Sequence, residues 1–335
     1  MLDIAFFGLA TACGAGLRAV EAARRGGLLP LSAAGDFFGN DYKPLLRAFA
    51  PDAGIDRAET RIHALIGVAL RDLRQQLLAA GISWPRCALV VLTPAAGPGF
   101  APERAETLSA GTAASLQGAG WCDPARGVVA IQAQAAGTAP ALARAAELCR
   151  HGPVLLVAAD SFACRDRLNA LLARRALFDE QNKWGFIPGE AAVAALCTAP
   201  GQLRQAAARL HAVALTQEPV PESANADSAF TGLSEAAHAA LDATGAGVGR
   251  VVSDWNNSRY RASELSYALL RVGSRLTDAD PEPVYPALEF GHTGAAWIGP
   301  VLAGPALSGR AALVLCGSDG GVDRAAFTLG PREPA

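Results

Sequence analysis

The chain has 335 residues, 51% of them hydrophobic and 18% charged, with a net charge of −2. A chain of this length buries roughly three quarters of its extended surface, enough for one large domain or two without disulfides or metals as staples. The near-neutral charge and the absence of any Lys/Arg run argue against nucleic acid or an acidic membrane as partner, and no apolar run reaches transmembrane length.

In chain order, residues 4–9 read as a strand, followed by a glycine-bearing turn at 10–16 and a short amphipathic helix at 17–25. Residues 28–52, rich in Pro, Gly and aromatics, read as an irregular surface excursion. Apolar residues at Ile62, Leu65, Val68, Leu70, Leu73 and Leu77 mark one face of a helix over 60–80. A strand at 88–92, a loop at 94–100 and a helix at 103–119, interrupted near Gly111, come next. Short apolar β-branched runs then give strands at 128–131 and 154–158, with a helix at 139–150 between them and Gly152 as its stop. A helix at 166–173 and a buried strand at 190–197 complete the first half, and 200–205 reads as a joint. The second half repeats the alternation. Strand 211–215, loop 217–228, helix 233–244, strand 248–253 and helix 262–272 lead to strand 311–315, a Gly-rich turn at 317–321 and a last strand at 325–329. Strands alternating with helices in two similar halves, 1–203 and 204–335, predict an α/β layered fold packed as one unit.

The stretch that bears most on function is the turn Gln134-Ala135-Ala136-Gly137-Thr138. A tight strand-to-helix turn aims one side chain into a pocket and points helix N-terminal N–H groups at it, a geometry that suits a thiolate or an oxyanion. No Cys, Ser or Lys stands there.

Four stretches are similar to the β-ketoacyl synthase branch of the thiolase-like superfamily. Phe178-Asp179 with Gly185-Phe186-Ile187-Pro188-Gly189-Glu190-Ala191-Ala192 resembles its FD…GF-x-x-GE-A signature. Gly291-His292-Thr293-Gly294-Ala295-Ala296 resembles GH-x-x-GAAG, and Gly317-Ser318-Asp319-Gly320-Gly321 resembles the GFGG turn. The helix ending at Gly152, with Val157-Ala158-Ala159-Asp160-Ser161 after it, resembles the nucleophile helix and the strand end that follows. The resemblance implies a five-layered αβαβα fold, normally dimeric, with a Cys-His-His or Cys-His-Asn condensing site. It also implies an emptied site. Ala135 falls at the nucleophile, or Gln134 if the alignment shifts by one. Asp254 stands at the first histidine, Ala287 at the lysine and Asp319 at the gatekeeper phenylalanine, while His292 survives as the second histidine. Loss of the nucleophile removes the acyl-enzyme route, and loss of one oxyanion donor costs on the order of a hundred-fold besides.

The remaining chemistry-bearing residues have plainer readings. The seven cysteines (Cys13, Cys87, Cys122, Cys149, Cys164, Cys197, Cys316) are odd in number and have no CxxC spacing, which predicts reduced, mostly buried thiols in a cytoplasmic protein. The opening residues lack a basic n-region and a secretory h-region. Residual activity, if any, would draw on His292, Asp254 and Cys164, with a hydroxyl from Ser258 or Ser318 and Glu289 beside the histidine. Glu190 reads as a structural carboxylate. Gly245-Ala246-Gly247-Val248-Gly249 precedes a strand instead of following one and so fails as a phosphate loop. No cluster has metal-ligand spacing, and no cofactor is expected.

The resemblance therefore implies a non-catalytic protein acting by protein–protein contact. The strand at 128–134 lies where relatives form a dimer seam with themselves or another thiolase-like protein. Degenerate relatives are encoded beside type VI secretion effectors, so an adaptor or effector-loading role is the first expectation. A chain-length-factor-like subunit paired with an active ketosynthase in fatty acid or polyketide synthesis is the alternative, suggested by Gln134-Ala135-Ala136-Gly137. A cryptic thioester hydrolase is the third.

Overall fold

A computed structural model describes residues 1–51, 54–55, 57–244, 247–277, 283–303 and 311–331. The first half comprises β1 (Leu2–Thr11), β2 (Gly14–Ala15), α1 (Gly16–Arg25), β3 (Ser32–Phe38), β4 (Pro44–Arg47), α2 (Ala58–Ala79), β5 (Ala88–Pro94), α3 (Pro102–Gly118), β6 (Val128–Ala133), α4 (Thr138–Leu148), β7 (Val154–Ser161), α5 (Arg165–Ala173) and β8 (Glu190–Thr198). The second comprises β9 (Ala208–Gln217), α6 (Gly232–Thr244), β10 (Arg250–Ser253), α7 (Arg259–Val272), α8 (Ala287–Phe290), α9 (Ile298–Ala303), β11 (Ala312–Gly317) and β12 (Asp323–Gly330).

Apart from the β3–β4 hairpin, the strands join in the order β10-β11-β12-β9-β1-β8-β7-β5-β6, with β2 folded back on β1. The order is palindromic about the β1/β9 seam. On one side β1 and β8 run antiparallel, as do β8 and β7, and β7, β5 and β6 run parallel. On the other, β9 and β12 and then β12 and β11 are antiparallel, and β11 and β10 are parallel. Val284 bridges to Val252 in the place corresponding to β6. At the seam Leu2, Asp3 and Ile4 pair with Leu210, Arg209 and Ala208, and Asp3, buried, accepts 2.7 Å and 3.1 Å bonds from the Arg209 guanidinium.

Five layers follow from side-chain alternation. In β5, Leu89 and Val91 pack against α2 and α3, while Ala88, Val90 and Leu92 face inward. Residues 155, 157 and 159 of β7 and 192, 194 and 196 of β8 repeat the outward set, and their neighbours repeat the inward one. Across the seam, Leu313, Leu315 and Ala326 pack on α6 and α7, and Ala312, Val314, Ala325 and Phe327 face inward. Between the two inner faces lie α4 and α9, with Ala139, Ala141, Leu142, Ala145, Ile298, Val301 and Leu302 buried. Strands covered on both faces have no polar face, which is why they read as unbroken apolar runs.

Several boundaries differ from the sequence expectation. The 28–52 segment holds the β3–β4 hairpin, whose alternation is broken by a register irregularity between Ala33 and Phe38; Asp52, Gly245 and Ala246 lie outside the described residues. Helix α3 runs through Gly111 without a break, because that glycine is exposed and nothing lies within reach of an added Cβ. The turns holding α8 and α9 carry no helical period long enough to be legible. No helix among the described residues is long and apolar enough to cross a membrane.

Gly8 in β1 is pressed against α2, where an added Cβ would lie 2.0 Å from the Ala69 carbonyl oxygen and 2.4 Å from the Leu73 nitrogen. Backbone atoms on both sides leave no room for relaxation, so Gly8→Ala is expected to cost about 3 kcal/mol. Urea unfolding followed by circular dichroism measures this, and an unchanged midpoint would contradict the close approach.

Candidate active site

The site forms where the ends of β6, β7 and β11 meet the turn after α8, at the floor of a cavity of about 690 Å3. Helix α4 starts from a single tight turn over Ala135–Gly137, and Gln134 before it has extended backbone (φ −97, ψ −156). Ala135, Ala136 and Gly137 are packed into the central layer, where a Cβ on Gly137 would sit 2.2 Å from that of Ala133. The side chain that reaches the cavity is therefore Gln134, and Ala135 does not line it. Gln134 Oε1 accepts from the backbone N–H of Asp319, tying the helix start to the 317–321 turn.

His292 is held from both sides. Its N–H donates to the Ile187 carbonyl at 2.7 Å, and its carbonyl accepts from Gly189 N–H at 3.0 Å. The following turn is fixed by Asp160 at the end of β7, whose Oδ2 accepts from Ala295 N–H at 3.1 Å; a Cβ on Gly294 (φ +49) would lie 2.1 Å from that oxygen. The ring packs between Phe162 and Phe186, at 5.2 Å and 4.8 Å between centroids.

Both imidazole nitrogens are committed. Nε2 lies 2.7 Å from Asp319 Oδ2 and Nδ1 lies 3.4 Å from the Asn256 amide nitrogen, which also reaches Asp319 Oδ1 at 3.4 Å. Burial alone would lower the His292 pKa, but the Asp319 carboxylate facing it outweighs this and leaves the imidazole above its ordinary value. Asp319 moves the other way. Burial would raise it, yet His292, then Arg261 and Arg324, hold its carboxyl down at about 2. The floor is thus a histidine–carboxylate pair beside the Asn256 carboxamide.

Asp254 is not opposite His292. It turns back into the protein, where it pairs with Arg261 and accepts from Gly317 N–H at 2.8 Å, and burial raises its carboxyl despite those partners. Asn256, two residues on, takes the cavity-facing position. Ala287 is buried in α8 away from the cavity. Cys164, at the start of α5, opens on a separate recess beside Arg57 and Arg104. Cys316 is enclosed in the central layer, its thiol pushed well up by burial. Among the described residues no cysteine lines the cavity, and all seven thiols are free, with only Cys13 partly accessible.

The hydrolytic arrangement does not assemble. Glu289 is paired bidentately with Arg24, and the Ser258 hydroxyl accepts from Arg261 N–H and reaches Glu222, not His292. Glu190 is fully buried among Arg61, the Ser161 hydroxyl (2.6 Å) and Ala50 N–H (2.8 Å), a structural role. No group of three or more His, Cys, Asp or Glu among the described residues is placed to hold a metal.

Sequence reasoning missed Asn256 as the residue facing His292, and it missed Trp184, Arg174, Arg175 and Arg259 at the cavity mouth. The adjacent amides Asn256 and Asn257 were the available signal. Which of three consecutive polar residues faces a cavity depends on how the chain leaves β10.

Comparison with solved structures matches this architecture over the whole chain. The fold is that of the ketosynthases. The ishigamide ketosynthase/chain length factor superposes with TM-score 0.71 at 19% identity, covering 100% of this chain and 99% of that one. A type II PKS ketosynthase, solved with its acyl-carrier protein and bound to the hexaketide, gives 0.74 at 13% identity, with 99% of each chain covered. A ketosynthase in complex with its chain length factor from Xenorhabdus doucetiae gives 0.67 at 14% identity, with 98% of each covered. No protein-family model matches the sequence, and no curated protein matches it.

The pair at the floor makes a pH prediction. His292 is raised in the folded state, so its contribution to stability is complete below the unfolded imidazole value and is lost as pH rises through the folded value. Asp319 is lowered, so its contribution is present above the unfolded carboxylate value and is lost as pH falls towards about 2. In an NMR titration of the His292 ring, Asp319→Asn should lower the imidazole pKa, because the carboxylate that most opposes burial is removed and only the weaker pull of Asp254 and Asp160 remains. An unshifted titration would break the assignment of the pair.

Proposed function

We propose that this chain is a non-condensing, chain-length-factor-like subunit that pairs with a cysteine-bearing ketosynthase in fatty acid or polyketide synthesis. The observation that carries the reading is a ketosynthase fold in which Gln134 occupies the strand-to-helix apex and no thiol among the described residues lines the cavity. A carboxamide cannot hold an acyl group covalently, and among the described residues no thiol or serine hydroxyl is hydrogen-bonded to His292. Ketosynthases solved together with chain length factors among the structural neighbours favour the same reading.

The partner surface we assign is the β6 edge. Strand β6 is bonded to β5 on one side only, and Ala130 and Gln132 are exposed along it. An unpaired edge is a template for strand addition, here from the corresponding strand of a thiolase-like partner. We place the boundary between the two halves at 203/204, in the connection from β8 to β9. An adaptor role in a type VI secretion cluster keeps only its motif-level resemblance as support, since none of the neighbours described above carries it. Thioester hydrolysis is disfavoured because the Ser258 hydroxyl is engaged by Arg261 N–H and Glu222 and not by His292.

Co-expression with a cysteine-bearing ketosynthase, followed by size-exclusion chromatography with light scattering, should give a 1:1 heterodimer. Recovery of this chain only as a homodimer would sink the reading. In that heterodimer Ala130→Arg should weaken association at least about tenfold, the cost of burying an unpaired charge at a strand seam. His292→Gln should leave the condensing rate unchanged, whereas replacing the ketosynthase's cysteine should abolish it.

A further inference from the structure

Beside the β3–β4 hairpin lies a hollow of about 560 Å3 that shares no lining residue with the cavity. Three stretches of chain wall it: the turn after β1 at Ala12, the 30–36 segment, and the chain leaving β4 from Arg47. That exit is pinned to the body of the protein. Ala48 N–H donates to the Pro188 carbonyl at 2.9 Å, and Ala50 N–H to Glu190 Oε1 at 2.8 Å. Alternate residues of extended chain share a face, so Arg47 and Phe49 stand together on the hollow's side. The guanidinium lies 5.2 Å from the Phe49 ring centroid, a cation–π contact that helps to hold a charge out of water.

Arg47 is only 7% exposed, and a guanidinium so deeply placed needs an acceptor for each edge of its fork. It does not have them. Both of its hydrogen bonds leave from Nη1, to Asp36 Oδ1 at 2.8 Å and Oδ2 at 3.0 Å. Nε is buried with no partner among the described residues. The register irregularity between Ala33 and Phe38 brings Asp36 out of the ladder and onto Nη1 alone, a use of irregular pairing that re-aims a side chain. One nitrogen thus serves both carboxylate oxygens, and the Nε edge is left without an acceptor. Asp36 is the one carboxylate among the lining residues; most of the others, Ala12, Pro30, Leu31, Phe49 and Pro51 among them, are apolar.

We propose that this hollow is a binding site for a small organic carboxylate, whose planar oxygens take the Nε edge of Arg47 and whose short aliphatic part lies against Pro30, Leu31 and Phe49. A carboxylate matches a guanidinium edge in two parallel bonds, a fit that a lysine ammonium does not offer. Asp36 sets the ligand's charge. It already offsets part of the guanidinium's and stands beside it, so a dianionic phosphate ester meets more repulsion there than a single carboxylate does. The volume is in the range that encloses most of a small ligand. Binding is non-covalent and reversible. The site is independent of the pairing proposed above and of the cavity.

NMR titration of the full chain, 15N-labelled at arginine, with butyrate, butyramide and butyl phosphate tests it. Butyrate should shift the Arg47 Nε–Hε resonance saturably and bind at least about tenfold tighter than butyramide, its neutral isostere. Asp36→Asn should tighten butyrate binding about threefold or more by removing a like charge. The Asp36 side chain is 38% exposed, so near-native circular dichroism is expected of that variant. A purely structural Arg47–Asp36 pair predicts no such gain. Arg47→Lys should keep the charge and lose the preference for butyrate over butyramide. If that variant does not fold, the Nε–Hε resonance and Asp36→Asn decide the question. The proposal is overturned by no saturable binding of butyrate below about 10 mM, by equal affinity for butyramide, or by tighter binding of butyl phosphate. An Arg47 Nε–Hε signal that stays still, or an Asp36→Asn affinity that does not rise, also overturns it.

Discussion

Burial of α4 between two sheets is the constraint from which the site follows. A helix covered by the inner faces of both halves has no room for large side chains at its start, hence Ala135, Ala136, Gly137, Ala139 and Ala141. Gly137 has Ala133 and Leu92 within 3.1 Å of where its Cβ would be. That crowding fixes the exit of the chain from β6, and the exit fixes which side chain meets the cavity. The last residue before the crowded turn is Gln134, and its amide becomes part of the cavity lining.

Gln134 reaches across the central layer to the Asp319 backbone, Asp319 reaches His292, and His292 is clamped between Phe162 and Phe186. These residues come from both halves of the chain and from opposite sides of the β1/β9 seam. Each contact has a charge or hydrogen-bond partner, so the floor is satisfied without substrate. In the non-condensing reading proposed above, the floor needs no nucleophile held unsatisfied for a substrate.

Much of the layering was legible because β5, β7, β8 and β11 are covered on both faces. Continuous apolar runs at 88–92, 154–158 and 190–197 identify interior strands, and the 3.6-residue period of 60–80 identifies a helix with one covered face. The hairpin at β3–β4 was not legible, because its strands are short, partly exposed and irregular in register. Asp254 looked like the cavity-facing residue because the resemblance sets it at the family's first histidine. Its carboxylate instead found Arg261 and Gly317 N–H in the interior, leaving Asn256 to face the ring.

By itself the sequence determined the alternation of strands and helices, the motif frame around His292 and Asp319, and the lack of a thiol in the turn after β6. Those are local properties, set by side-chain period, backbone freedom at glycine and residue identity. Only the tertiary structure decided that Gln134 and not Ala135 faces the cavity, that Asp319 closes on His292, and that Arg174, Arg175 and Arg259 share one mouth. Such outcomes depend on contacts between segments more than a hundred residues apart in several cases, and a one-residue change of register reverses which side chain points inward.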